Sequence, residues 1–174
     1  MTNRELSAAI QADLKKAGIS KAAYSIRVQW AGYERSITVR VKDISVNLDR
    51  VNRVLLHYKH VYWDEHCGEI LAGGNTYAHA DYDYKMLDLE SERFMERARE
   101  LMAADLPLWA GQVVADHSRN GHDHELLFFK GDQFLVARKK GGSSAGNPRH
   151  YAGDARSIAK ALALFDNLGT IPKY

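Results

Sequence analysis

Two stretches in the first quarter of the chain alternate apolar and polar residues in the way that paired β-strands do. They cover residues 25–30 and 36–42, and a four-residue segment around Gly32 joins them. A period of two residues with one apolar face is typical of an antiparallel hairpin that buries one side. The pattern therefore predicts a sheet whose apolar face must be covered by helices. The apolar positions are Ile26, Val28, Trp30, Ile37, Val39 and Val41.

The residues around this hairpin carry the periodicity and the caps of helices. Thr2 and Glu5 form a capping-box pattern at the start of a helix over residues 3–17, and Gly18 ends it. A second helix follows the hairpin, capped by Asn47 or Ser45.

A further strand and a third helix complete the first half of the chain. The strand covers residues 76–84, and the helix begins at Asp88 or Ser91 and ends near residue 103. The predicted order is α-β-β-α-β-α, an α+β fold in which helices back one face of an antiparallel sheet.

The second half of the chain has the pattern of a small β-meander followed by a helix. Strands are predicted at residues 112–116, 125–130 and 133–139, and Asp154 caps a helix that Gly169 closes. The segment 104–110, with Pro107 and Trp109, predicts a boundary. We therefore expect an α+β domain over residues 1–106 and a β-β-β-α subdomain over residues 107–174.

The composition is that of an ordinary globular protein, with 45% apolar and 26% charged residues. No window approaches the roughly eighteen continuous apolar residues of a membrane span, and the first residues lack a signal-peptide pattern. We expect a cytoplasmic protein without membrane contact. The single cysteine, Cys67, excludes a disulfide within the chain and fits a reducing compartment.

Charge is segregated along the chain, although the formal net charge is only +2. Residues 1–60 carry eleven Lys and Arg against five Asp and Glu, whereas residues 61–107 carry four against eleven. Residues 108–174 return to a basic balance, with nine against six. Two explanations stay open: the segments neutralise one another in the fold, or they present separate charged faces to partners.

The polar face of the predicted hairpin carries basic residues. Arg27, Arg40 and Lys42, with Arg35 near the turn, are predicted to line one exposed surface. Such a surface can follow the phosphates of a nucleic acid, but strand surfaces also carry Arg and Lys for solubility alone. No aromatic residue is interleaved there to stack on a base. Both interpretations stay open.

The segment Asp64-Glu65-His66-Cys67 places a potential nucleophile beside a potential base. Adjacent residues rarely face each other, and catalytic Cys and His side chains usually come from distant segments. We therefore interpret the segment as a polar turn and predict no catalytic residue. The sequence favours a non-enzymatic protein.

Five potential metal ligands lie within nine residues of the second half. Imidazoles and carboxylates suit zinc, nickel or iron, but the spacing of these histidines matches no established metal motif. We expect a polar hairpin loop rather than a metal centre, and no cofactor. The five residues are Asp116, His117, His122, Asp123 and His124.

A glycine-rich loop, residues 141–147, follows Lys139 and Lys140 and precedes Arg149. Phosphate-binding loops open directly into a helix, whereas the helix predicted here begins several residues later. We interpret the loop as a flexible linker. Contact of its three basic neighbours with a nucleic-acid backbone is the alternative.

The stretch from Trp63 to Tyr84 is the most distinctive in the chain, and residues 2–84 resemble a known family. The resemblance rests on TNRELSAAIQADLKKAGIS, on the spacing of SIRVQW and SITVRVKD, and above all on DEHCGEILAGGNTYAHADYDY. These segments are similar to the large polyvalent protein-associated domains, subgroup twenty-nine, of phage and plasmid proteins. Cys67 departs from the pattern, which has Thr or a similar polar residue before Gly68.

The resemblance implies support of a mobile genetic element on entry, including interference with host defence, and implies no activity. The sequence therefore favours an interaction protein that binds a host or element-encoded protein complex by electrostatic complementarity. The predicted contact surface is the polar face of the strand over residues 76–84. The alternative is a nucleic-acid-binding module that uses the basic residues above. The predicted protein-binding residues are Tyr77, His79, Asp81 and Asp83.

Overall fold

The first two strands, β1 (Tyr24–Ala31) and β2 (Glu34–Val41), form the predicted antiparallel hairpin, with Val28 opposite Ile37. The computed structural model describes residues 1–119 and 122–172, without the side chains of Arg119 and His122. Within it, Gly32 turns the chain between the strands at φ +63°, a conformation that glycine adopts without a steric penalty.

The third strand, β3 (Thr76–Tyr82), pairs with β2 in the parallel direction, with Val39 opposite Ala80. The sheet order is β1-β2-β3, so the sheet is mixed, whereas the sequence predicted an antiparallel one. The physical reason is the connection: the chain between β2 and β3 contains α2 (Leu48–Leu55), and a helical crossover delivers the next strand in the same direction. Asn52 of α2 accepts a hydrogen bond from the Ala80 N–H at 2.8 Å, on the side of β3 away from β2.

Two helices cover one face of this sheet. α1 (Asn3–Lys16) packs on β1 and on α2, and α2 packs on β3. The capping box of Thr2 and Glu5 is present at the start of α1. Burial of these apolar faces drives the packing because each removes large side chains from water. The most buried residues are Ile10, Leu14, Ile37, Val39, Leu48, Val51 and Leu55.

A second sheet contains four antiparallel strands in the order β4-β5-β6-β7. They are β4 (Gln112–Arg119), β5 (His122–Phe129), β6 (Phe134–Lys139) and β7 (His150–Tyr151). The short β7 was not predicted from the sequence, because two residues are too few to display a period.

The predicted third helix is two helices, α3 (Tyr84–Ser91) and α4 (Met95–Ala103), joined by a single 3-10 turn, Glu92–Phe94. Both pack on α5 (Ala155–Leu168), which also contacts β4 and β6. The buried side of α5 includes Ile158, Leu162, Leu164 and Phe165.

The mixed α+β class is confirmed, and the order of elements matches the prediction apart from β7 and the break between α3 and α4. By packing, the described chain forms two compact units, Met1–Asp83 and the chain from Tyr84 onward, called here the first and second units. A domain that folds by itself is a different property, so the division into residues 1–106 and 107–174 stays a prediction. None of the described helices is both long and apolar enough to cross a membrane.

Candidate functional site

The side of the first sheet that α1 and α2 leave uncovered is a polar face built from all three strands, and we call it the open face. Strand pairing aligns its residues in three rows, each running from β1 through β2 to β3. Side chains alternate along a strand, so every member of these rows projects away from the apolar side. The rows are Gln29, Ser36 and Tyr77; Arg27, Thr38 and His79; and Ser25, Arg40 and Asp81.

The open face joins two surfaces that the sequence predicted separately. Arg27 and Arg40 came from the predicted basic surface, whereas Tyr77, His79 and Asp81 came from the predicted protein-binding surface. The parallel register of β2 and β3 places Arg40 directly opposite Asp81. The face therefore carries cations, an anion and a tyrosine together, rather than one sign of charge.

The charged groups of the open face are accessible and loosely paired. His79 Nε2 lies 3.3 Å from Asp81 Oδ2 and 3.5 Å from the Thr38 hydroxyl oxygen. The side chains of His79 and Asp81 are 51% and 47% exposed. Neither Arg27 nor Arg40 forms an ion pair with another described residue. Their guanidinium groups therefore remain available to a partner.

Three other predicted residues lie outside the three rows of the open face. Arg35 is on the same side of β2 as Ile37, where its guanidinium stacks 4.2 Å from the Trp30 ring and Nη2 donates to the Met1 carbonyl. Lys42 and Asp83 follow the ends of β2 and β3, and the Asp83 N–H donates to Val41.

The segment 59–75 forms a folded loop at the turn end of the sheet. Its tip is a polar turn, in which the Asp64 carboxylate accepts hydrogen bonds from the N–H groups of His66 and Cys67. These hydrogen bonds lower the pKa of Asp64. Cys67 is exposed. Asp64 therefore stabilises the turn. No described contact pairs the Cys67 thiol with the His66 ring, so the structure does not support the nucleophile-and-base interpretation.

A fully buried Asn75 attaches this loop to the sheet. Its Nδ2 donates to the Leu71 carbonyl at 2.7 Å and to Glu34 Oε1 at 3.1 Å, while Oδ1 accepts from the Tyr62 N–H. The Tyr77 hydroxyl lies 3.5 Å from the same Glu34 oxygen. This network fixes the loop beside the Tyr77 row of the open face.

The loop presents a cluster of exposed large apolar side chains, called here the loop patch. Tyr62 lies against Gly74, whose N–H donates to the Tyr33 carbonyl, so the β1–β2 turn and the loop meet. Sequence reasoning missed this cluster, because its members follow neither a strand period nor a helix period. The available signal was the pair of apolar residues on each side of the polar turn. The loop patch contains Tyr33, Tyr62, Trp63, Ile70 and Leu71, all between 47% and 85% exposed.

The potential metal ligands lie in the β4–β5 hairpin, where strand alternation separates them. His117 pairs with His124 on one face, whereas Asp116 and Asp123 lie on the other. The ring of His117 packs edge-on against Phe165. The described residues hold no group of three or more His, Cys, Asp or Glu side chains suited to a metal ion. The side chain of His122 lies outside the described part of the chain.

Two of the three basic residues near the glycine loop contact other side chains of the second unit. Lys140 Nζ lies 3.6 Å from Asp116 Oδ1, and the Arg149 guanidinium stacks 4.6 Å from the Phe134 ring. Lys139 ends β6 and lies opposite His124. The loop does not open a helix, because α5 begins only at Ala155. These contacts give the loop no phosphate cradle.

This loop is anchored by a buried carboxylate, Glu125, which the sequence analysis did not single out. Glu125 accepts hydrogen bonds from Arg138 Nε at 2.7 Å and from the Gly141 N–H at 3.3 Å. Burial acts to raise the pKa of Glu125, but these hydrogen bonds and the Arg138 charge outweigh it, and the pKa is lowered. Glu125 therefore stays ionised as a structural anchor.

Comparison of the chain with protein-family models, with curated proteins and with solved structures gives no match. The resemblance of residues 2–84 to the polyvalent-associated family stays a prediction. The candidate site rests on its geometry.

Proposed function

We propose that this chain is a non-enzymatic binding protein whose open face and adjoining loop patch contact a protein partner. The observation that carries the proposal is the register that sets Arg40 beside Asp81, and Arg27 in the same row as His79, on one exposed face. A face with both signs of charge matches a partner that offers both signs in return, which is the pattern of electrostatic complementarity between proteins.

The loop patch supports a protein partner in a second way. Trp, Tyr and Arg dominate the residues whose loss costs most at protein interfaces, because they bury large areas and retain a polar group. The backbone of Tyr62 is held by the hydrogen bond to Asn75, and that of Trp63 by its bridge to Ile70. Less conformational freedom is therefore lost on binding.

A nucleic acid is the second candidate partner. Arg27 and Arg40 are free of ion pairs with other described residues, and the exposed Lys42 lies nearby at the end of β2. Phosphate binding, however, gains from neutralised anions, and Asp81 places a negative charge among these cations. The mixed face therefore favours a protein.

The resemblance supplies the biological setting of this proposal. A member of the polyvalent-associated family would belong to a phage or plasmid, act in the host cytoplasm and bind a host defence complex.

Two single substitutions separate the candidate partners. Asp81→Lys removes the anion and is expected to weaken binding of a protein partner about tenfold, a loss of roughly 1.4 kcal/mol. The same change strengthens nucleic-acid binding, since it adds a cation. Arg40→Glu is expected to weaken either interaction. Arg4→Glu, on the exposed side of α1, is the matched control and retains wild-type affinity.

The partner is first captured from a bacterial lysate on the wild-type protein and then purified for interferometry with each variant. Gel shifts with single- and double-stranded DNA at low and high salt form the second arm. Tighter DNA binding by Asp81→Lys would favour the second candidate. Wild-type affinity of both open-face variants for the captured protein would overturn the proposal.

A further inference from the structure

A groove between α1 and α2, away from the open face, has the size of a small-molecule site. This open groove has a volume of about 590 Å³, within the range of roughly 300–1,000 Å³ that is usual for ligand pockets. Its lining combines the apolar residues Ala17 and Val54 with four basic side chains. These are Lys16, Arg50, Arg53 and His57.

One carboxylate, that of Asp13, also lines the groove, and both of its oxygens already have partners within the first unit. Asp13 Oδ2 accepts a hydrogen bond from the Tyr58 hydroxyl at 2.6 Å, and Oδ1 lies 3.1 Å from Lys16 Nζ. The Tyr58 hydrogen bond and then the Lys16 hydrogen bond lower the pKa of Asp13. Asp13 therefore balances the charge of Lys16 and leaves that of the arginines uncompensated.

The two arginines of the groove have no hydrogen bond or ion pair with another described residue. They are three positions apart on α2, so their side chains leave the helix as neighbours on one face. Arg50 Nη2 would lie only 3.1 Å from a Cβ at residue 18, where Gly18 has φ +73°. The Arg50 guanidinium thus rests on the bare backbone of Gly18, which places it beside the end of α1.

We propose that this groove binds a phosphate monoester carried by a small organic group. Two free guanidinium groups match the two negative charges of a monoester and bind its oxygens in pairs. The apolar lining from Ala17 and Val54 receives the organic part. A monoester presents two negative charges on one phosphate, whereas each phosphate of a nucleic-acid backbone presents one, so the paired arginines suit a monoester better.

The probes are inorganic phosphate, O-phosphoserine and adenosine monophosphate, each titrated into the ¹⁵N-labelled full chain. We expect saturable shifts of the amides around Gly18 and Arg53 with a Kd of about 1 mM or tighter for at least one probe. Saturation by all three probes would show that the groove recognises the phosphate group alone. Saturation by only one of the two esters would show that the groove also recognises the organic group of that ester. Each of these results supports the proposal.

The decisive variant is Arg50→Gln with Arg53→Gln, which is expected to weaken binding at least about tenfold. Arg4→Gln with Lys21→Gln removes the same charge from exposed positions of the first unit and is expected to stay within about twofold of wild type. Both double variants keep the amide dispersion of the folded chain, because all four residues are exposed.

Three results would overturn the proposal. The first is that no probe saturates the protein up to about 10 mM. The second is that the Arg50 and Arg53 double variant binds the probe with the affinity of wild type. The third is that the control double variant weakens probe binding by the same factor. The open-face test is independent, since the groove variant is expected to capture the protein partner as wild type does. Failure of one proposal therefore leaves the other intact.

Discussion

At the scale of single residues, several polar side chains that resemble functional groups hold the backbone instead. Asn75 satisfies the N–H of Tyr62 and the carbonyl of Leu71 in a fully buried position. Glu125 does the same for Gly141. An unsatisfied buried polar group costs about 1–3 kcal/mol, so such residues stabilise the fold through the bonds they complete.

The Tyr58–Asp13 pair allows a test of this principle by pH. Burial, and then the hydrogen bond to Asp13, raises the pKa of Tyr58 to about 12, compared with about 10 in an unfolded chain. A raised pKa contributes stability that is complete below pH 10 and is lost as pH rises from 10 towards 12. We therefore expect a smaller loss of unfolding free energy over this range in Tyr58→Phe than in wild type, measured with urea.

A spectroscopic titration tests the same pair without unfolding. The difference in phenolate absorbance between wild type and Tyr58→Phe is expected to show one group with a midpoint near 12. In Asp13→Asn the midpoint moves down, because the carboxylate that accepts the hydrogen bond is gone. An unchanged midpoint in Asp13→Asn would show that burial alone sets the pKa of Tyr58.

At the scale of elements, the ends of α1 and α5 were predicted correctly, whereas the third helix begins at Tyr84 and not at Asp88 or Ser91. Thr2 caps α1 and Asp154 caps α5 through side-chain hydrogen bonds to backbone N–H groups, as their sequence context indicates. Gly169 ends α5 at φ +68°. The break between α3 and α4 was missed, because the 3-10 turn at Glu92–Phe94 lies within an uninterrupted helical period.

Gly169 combines two constraints that a pair of substitutions can separate. A Cβ there would lie 2.7 Å from His117 Cδ2, whereas at Gly141, with φ +70°, it would meet no atom within 4 Å. Gly141→Ala is expected to cost only the left-handed strain of about 1 kcal/mol. Gly169→Ala adds displacement of the His117 ring, and we expect a total about 1–3 kcal/mol larger. Urea unfolding at pH 7 measures both, and equal costs would show that the ring moves aside freely.

At the scale of the molecule, each unit contains nearly equal numbers of basic and acidic residues. Residues 1–83 carry eleven Lys and Arg against ten Asp and Glu, and residues 84–174 carry thirteen against twelve. The acidic segment 61–107 is divided between the units at residue 83. In the second unit, for example, Asp88 lies 2.7 Å from Lys160 Nζ. Each unit is therefore close to neutral in net charge, while the open face and the α1–α2 groove of the first unit keep arginines without ion pairs to other described residues.

Each unit has its own buried core, so we expect local loss of structure to respect the division at residue 83. Leu14→Ala and Leu164→Ala each remove a fully buried side chain, and each is expected to cost about 2–5 kcal/mol. Hydrogen exchange should show loss of amide protection mainly in the first unit for Leu14→Ala and mainly in the second for Leu164→Ala. Uniform loss throughout the chain in both variants would show one cooperative unit.

The sequence by itself determined the class of the fold, the order of its elements and the caps of its main helices, because apolar period and capping are properties of neighbouring residues. It also placed Tyr77, His79 and Asp81 on one face of a strand. Only the tertiary structure decided that β3 runs parallel beside β2 and so joins that face to Arg27 and Arg40. The loop patch and the α1–α2 groove depend likewise on contacts between distant segments. Such contacts follow from which surfaces bury each other, and no local period of the sequence encodes that choice.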